Sequence, residues 1–168
     1  PLADHSDRSL LFYDQLGCGQ SDRPDNEDLY SIDLFLNDFV QLLDEFSFDG
    51  GFHLYGQSFG GILAFEYLKR ERPENCLSVT LSSTPTSVPQ VEAEANRLMQ
   101  TLIRDAGGEE DNMEEVFRKA HQCQTPIKPQ PLIGAYALAG TIFHGTQAIP
   151  DYQATLEDDD SERVDVPA

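Results

Sequence analysis

The sequence predicts an α/β fold in which a parallel sheet carries a strand–turn–helix elbow and a helical cap follows. Three observations predict it. Short apolar runs at 9–13, 51–55 and 77–81 alternate with stretches of helical spacing at 31–46 and 60–70, the pattern of strands joined by crossover helices. Gly56-Gln57-Ser58-Phe59-Gly60 sets a Gly-x-Ser-x-Gly turn between the second run and the second helix. Beyond Pro89 helical spacing returns with no further strand pattern.

Taken in order, Ser-Leu-Leu-Phe-Tyr at 9–13 is a continuous apolar run, expected as a strand buried on both faces and parallel to the elbow strand. Asp14 to Pro24 is rich in glycine, polar residues and proline and leaves the sheet as a loop, at the edge where such sheets carry their active sites. Its Gly17-x-Gly19 does not complete a dinucleotide-binding fingerprint. From Ser31, a plausible N-cap, apolar residues recur at Ile32, Phe35, Leu36, Phe39, Leu42, Leu43 and Phe46, an amphipathic helix whose aromatic stripe is core rather than a cofactor box. Asp49-Gly50-Gly51 turns the chain into the elbow strand, a right-handed strand–helix–strand unit. His53 lies inside that strand and is expected as a packed or hydrogen-bonded core residue. The helix after the elbow ends before Pro73, Leu77 to Leu81 forms the third parallel strand, and Ser82 to Pro89 is loop.

Val91 to Ala106 and Asn112 to His121 read as helices, three prolines interrupt 124–131, and small apolar residues resume from Leu132 to Phe143. The expected organisation is the central part of an α/β core at 1–89, a helical cap over the serine at 90–150, and an acidic segment returning toward the core at 151–168.

The elbow carries the chemistry. A serine on a tight strand-to-helix turn has a strained backbone and crowded neighbours, so Gly56 and Gly60 are expected to remove side chains that would clash. Ser58 is the candidate nucleophile. The Phe59 N–H opens the next helix, where partial positive charge stabilises an oxyanion, and Gly61 lets that helix pack closely.

Thirty acidic against eleven basic residues give a formal charge of −19, which argues against nucleic acid or an anionic membrane as partner. Neither a membrane span nor a signal peptide is recognisable, so a soluble protein is expected, and the cysteine usage fits a reducing, cytoplasmic setting. Cys18, Cys76 and Cys123 have neither zinc-ligand nor disulfide-framework spacing and are expected to be buried or inert, a reactive thiol being the alternative that their odd number leaves. Asp158-Asp159-Asp160 is expected as a solvated turn and not a metal site. The composition sets no oligomeric state.

Phe12-Tyr13-Asp14-Gln15-Leu16-Gly17-Cys18-Gly19-Gln20-Ser21, Gly56-Gln57-Ser58-Phe59-Gly60-Gly61 and Thr86-Ser87-Val88-Pro89 together resemble the proline iminopeptidases of the α/β-hydrolase superfamily. The resemblance implies a partial α/β-hydrolase fold and a serine peptidase that releases N-terminal proline, or another residue, from short peptides through an acyl-enzyme on Ser58. It implies no metal and no organic cofactor. Relative to that family, the chain is expected to begin after the His-Gly-Gly-Pro-Gly loop that completes the oxyanion hole. It is expected to stop, at Val166-Pro167-Ala168, before the strand that bears the acid and before the histidine. Where the family's cap has Gly-x-x-Glu-Phe, with a carboxylate for the substrate amino group, Gly140-Thr141-Ile142-Phe143 has isoleucine.

A triad within the chain would need His121 or His144 with Asp105, Asp111 or a neighbouring glutamate, all on the expected cap, and a rigid constellation is not expected there. Two functions follow: an aminopeptidase, or an amide or ester hydrolase of other specificity, or else a non-catalytic module that keeps the elbow and binds without reacting.

Overall fold

The structure, a computed structural model, describes residues 9–46, 48, 50–107 and 112–156. The expectations for Asp49, Asp111, the Asp158-Asp159-Asp160 cluster and the remainder of the acidic tail lie outside the described residues.

A 3-10 turn at Glu27–Leu29, capped by the Asn26 side chain, leads into helix α1, Ile32–Phe46. Ser31 acts as its N-cap, its Oγ accepting from the Leu34 N–H at 3.3 Å. The predicted stripe turns inward, with Phe35, Leu36 and Phe39 buried. Gly51, at φ 81°, reverses the chain into strand β1, Phe52–Gln57; helix α2, Phe59–Glu71, and strand β2, Cys76–Ser82, follow. β1 and β2 pair in parallel, with Tyr55 opposite Thr80 and Gly56 opposite Leu81. Parallel neighbours need a crossover, and α2 provides it. Arg72, left-handed at φ 46°, closes α2 by donating its N–H to the Leu68 carbonyl at 3.1 Å, just ahead of Pro73.

The period of two along β1 sorts its side chains. Phe52 and Leu54 join the core under α1 and α2, whereas His53, Tyr55 and Gln57 are exposed on the opposite face. The core is largely aromatic: Phe35 meets Phe59 edge-on at 5.6 Å, and Phe39 meets Tyr67 edge-on at 5.0 Å. Ile62 of α2 is fully buried.

Among the described residues the sheet has two strands, not three. The run 9–13 forms no ladder. A strand exists only through its backbone partners, and here a cavity separates Tyr13 and Gln15 from Leu54 and Tyr55 of β1. Side-chain contact holds the run in place: Tyr13 stacks on Phe39 at 6.1 Å while Phe12 remains 85 % exposed. α1 therefore does not link two strands of the described sheet.

The helices of the expected cap open with α3, Val88–Asp105, whose N-cap Ser87 accepts from the Gln90 N–H at 3.4 Å. The helix starts inside the predicted loop because Pro89 sits in its first turn, where no intrahelical N–H bond is needed. The single helix expected at 112–121 is instead α4, Met113–Phe117, running into a wide π turn at Arg118–Gln122. Buried Arg118 is the cause. Its guanidinium grips Glu115 and reaches forward to the carbonyls of Cys123, at 2.6 Å, and Thr125, at 3.3 Å, folding the chain back on itself. Helix α5, Gln130–Ala137, ends well before Phe143, which enters the aromatic core.

The chain leaving these helices runs antiparallel beside the chain entering them. Val88 donates its N–H to the Tyr152 carbonyl at 3.0 Å and Ala154 to that of Thr86 at 2.7 Å. Tyr152 also ties this stem to α2, its hydroxyl donating to Oε1 of buried Glu66 at 3.1 Å. Arg70 donates to the other Glu66 oxygen at 3.1 Å and pairs with Asp33 of α1. No described helix is long and apolar enough to cross a membrane.

Candidate active site

Ser58 stands between β1 and α2 at φ 51°, ψ −118°, a conformation that L-residues adopt only under constraint. Two sets of bonds impose it. Its N–H donates to the Ser82 carbonyl of β2 at 2.9 Å, and its own carbonyl accepts from the Gly61 and Ile62 N–H groups at 3.0 and 3.2 Å. Its side chain is exposed and makes no capping bond. Among the described residues the Phe59 N–H has no acceptor, as expected of a first-turn amide at a helix N-terminus. The Phe59 ring is buried.

The glycines divide the crowding differently from the prediction. A methyl group on Gly56 would overlap the Gly60 carbonyl, so that position requires glycine, while one on Gly61 would overlap the Thr84 side chain and fits only if Thr84 gives way. Gly60 has open space where its side chain would be. It borders the cavity of about 210 Å³ beside Tyr13 and Leu54, so the crowding falls on its backbone and not on its Cβ. Gln57 is exposed on the uncovered sheet face.

The histidines lie elsewhere. His53 shares a hydrogen bond with Ser78 Oγ at 2.7 Å; it is hydrogen-bonded, as expected, but on the exposed face and not in the core. His121 packs on the Phe117 ring at 5.0 Å, and His144 donates from Nε2 to the Thr141 carbonyl at 2.9 Å. Asp105 pairs with neighbouring Arg104 in solvent. Among the described residues no hydrogen bond, ion pair or ring contact joins any of these groups to Ser58. A cleft of about 510 Å³ opens beside Asp14, Gln15, Asp22 and Asp38, and Ser58 does not line it. The Gln15 Nε2 amide is buried with no hydrogen-bond acceptor among the described residues.

Cys18 and Cys76 are half-buried, and burial pushes both thiols up, keeping them protonated and unreactive near neutral pH. The Cys76 thiol also donates to the Ser78 carbonyl at 3.6 Å. Cys123 runs the other way: hydrogen bonding with Thr125 lowers its thiol below the ordinary range. Three contacts were not legible as site features in the sequence: Thr84 against Gly61, Tyr152 on Glu66, and Phe143 on Phe59. Phe143 alone had a signal, its place as the phenylalanine closing the counterpart of the iminopeptidase cap motif.

A parallel β1–α2–β2 unit with a strained serine at its turn fits the α/β-hydrolase fold. The profile of the alpha/beta hydrolase fold family matches residues 1–132, and the chain belongs to that family. Its similarity runs to proline iminopeptidases. That of Lactobacillus delbrueckii subsp. bulgaricus is 33% identical over 149 residues, covering 79% of this chain and 50% of the relative. That of Clostridium botulinum is 36% identical over 98 residues, covering 58% of this chain and 33% of the relative. The chain thus spans half or less of the length of these relatives. In fold it is similar to the crystal structure of VinJ, with a TM-score of 0.62 and 21% identity, over 85% of this chain and 51% of that one.

Proposed function

We propose that this chain carries the nucleophile half of a serine hydrolase of the proline iminopeptidase type, which releases N-terminal proline or another residue from short peptides. The observation that supports this reading is the Ser58 turn: a positive φ, an exposed hydroxyl, and a Phe59 N–H with no acceptor among the described residues. Ser58 Oγ attacks the scissile carbonyl, forming the acyl–oxygen bond as the carbonyl–nitrogen bond breaks. The Oγ proton passes through a general base to the leaving amine, and water then releases the acyl group. The Phe59 N–H, at the positive end of α2, donates to the oxyanion.

A serine hydroxyl alone is a weak nucleophile and needs a histidine base oriented by an acid. With no described histidine at Ser58, the base belongs to the remaining length of the full enzyme. The same observation favours a second reading, a binding module that keeps the elbow without turnover. The test is hydrolysis of a prolyl amide and of an activated ester by this chain and by the full-length protein, each beside its Ser58→Ala variant. The expected result is no Ser58-dependent turnover in this chain, and in the full-length protein a loss of several orders of magnitude in kcat on Ser58→Ala. Near-normal turnover in that variant removes Ser58 from the mechanism. No turnover in the full-length wild type supports the binding module.

A further inference from the structure

We propose that Phe143, delivered by a clasp between the cap and the loop at 14–23, is a positioning residue for the Ser58 elbow. The functional consequence rests on the hydrolase reading above; the geometry does not. Phe143 is 7 % exposed, and its ring meets the Phe59 ring edge-on at 5.0 Å. Phe59 is the residue whose N–H is assigned to the oxyanion, so its ring and its amide share one short backbone. Phe143 also meets Phe35 at 5.1 Å and stacks on Tyr30 at 5.9 Å, which leaves its ring little freedom.

The clasp holds the backbone that carries this ring. The Gly19 N–H donates to the Leu138 carbonyl at 3.0 Å. Arg23 bridges the same two stretches of chain, its guanidinium donating to the Gly19 carbonyl at 2.6 Å and to that of Leu138 at 3.3 Å. Gly140 lies so close to the Gly17 carbonyl that a methyl group there would overlap it, and Gly17, at φ 86°, leaves room for the Tyr30 ring. The loop is braced in turn by Asp14, whose carboxylate accepts from the Gln20 N–H at 3.0 Å.

The segment 138–143 is therefore the fixed root of the cap. Its effect on Ser58 is indirect: the Phe143 ring holds Phe59, and Phe59 follows directly on the strained serine. Loosening the ring lets the turn relax from its constrained φ and weakens the bond from the Ser58 N–H to Ser82.

The experiment reads amide hydrogen exchange by NMR in this chain, comparing wild type with Phe143→Leu, Phe143→Tyr and Arg23→Gln. Arg23 is exposed and carries none of the ring contacts, so Arg23→Gln loosens the clasp without removing any ring and keeps the test open if Phe143→Leu does not fold. The expected result for Arg23→Gln and Phe143→Leu is that Ser58 N–H exchange accelerates by about tenfold more than that of β1 and β2 amides, the mark of local rather than global opening. Phe143→Tyr, which keeps the ring, restores wild-type exchange. An equal acceleration at all amides, or no change at Ser58 in Arg23→Gln, overturns the proposal. In the full-length enzyme the same two variants lower kcat by roughly tenfold to a hundredfold with little change in KM, the signature of a misplaced reacting group. A Ser58 exchange effect in this chain together with a full-length protein that shows no turnover leaves the positioning role standing and sinks the hydrolase reading; Ser58-dependent turnover in the full-length protein with no exchange effect does the reverse.

Discussion

Replacing Tyr152 with phenylalanine removes one hydroxyl from the stem beside α3 and should loosen its hold on the helix behind the serine. The hydroxyl donates to Glu66 Oε1 at 3.1 Å, and Glu66 keeps Arg70 on its other oxygen, so the variant leaves one carboxylate lone pair unpaired and not a bare charge. A hydrogen bond to a charged acceptor contributes about 1.5–3 kcal/mol. Because Tyr152 is only half-buried, solvent screening brings the expected loss to about 1 kcal/mol. The pH dependence is more specific than the size. Burial, followed by the Glu66 charge, raises the Tyr152 phenol above its ordinary value of 10.0. The unfolded chain ionises this tyrosine from about pH 10, while the folded chain keeps its proton. The bond's contribution is thus fully present below about pH 10 and is lost as pH rises toward the folded value. Urea denaturation of wild type and Tyr152→Phe at about pH 8 and about pH 10.5 measures both effects. The wild-type advantage should be clear at the lower pH and shrink at the higher. An advantage that is absent at the lower pH, or unchanged between the two, would refute the Tyr152–Glu66 bond as the anchor of the stem.

Three further predictions concern the elbow and the surface. Ser58→Gly should stabilise the chain by about 1 kcal/mol relative to Ser58→Ala, because glycine adopts φ 51° without strain; equal melting temperatures for the two variants would mean the turn stores no strain. Gly61→Ala should destabilise by about 1–3 kcal/mol through overlap with Thr84, and Thr84→Ala should recover part of that loss in a double-mutant cycle. Additive effects would separate the two residues. Phe12→Lys places a charge on a side chain that is 85 % exposed, in a run that forms no ladder, and light scattering at raised concentration should fall relative to wild type; unchanged scattering would place self-association elsewhere on the surface.

Much of the architecture was legible locally. The apolar spacing of 31–46 and its Ser31 cap appear as α1, and the elbow sequence appears as a strained turn between β1 and α2. Those features depend on neighbours within about one helical turn or one strand pleat, which a sequence displays directly. The failures share the opposite property. The run 9–13 has the apolar character of a strand, yet strand character does not create a partner, and across from it lies a cavity. Gly60 reads like Gly56, but which of them is crowded depends on the direction its missing Cβ would take in the folded turn.

By itself, the sequence determined the elbow, the helical character of α1 and α2 and that of the stretch beyond Pro89, because backbone conformation at those places follows from residue type and period. Only the tertiary structure decided which distant groups meet there. Phe143 reaches Phe59, and Tyr152 reaches Glu66 across 86 residues of chain, without any periodic signal between them. Such contacts form only when the intervening chain has already been folded into place, so their choice belongs to packing and not to local propensity.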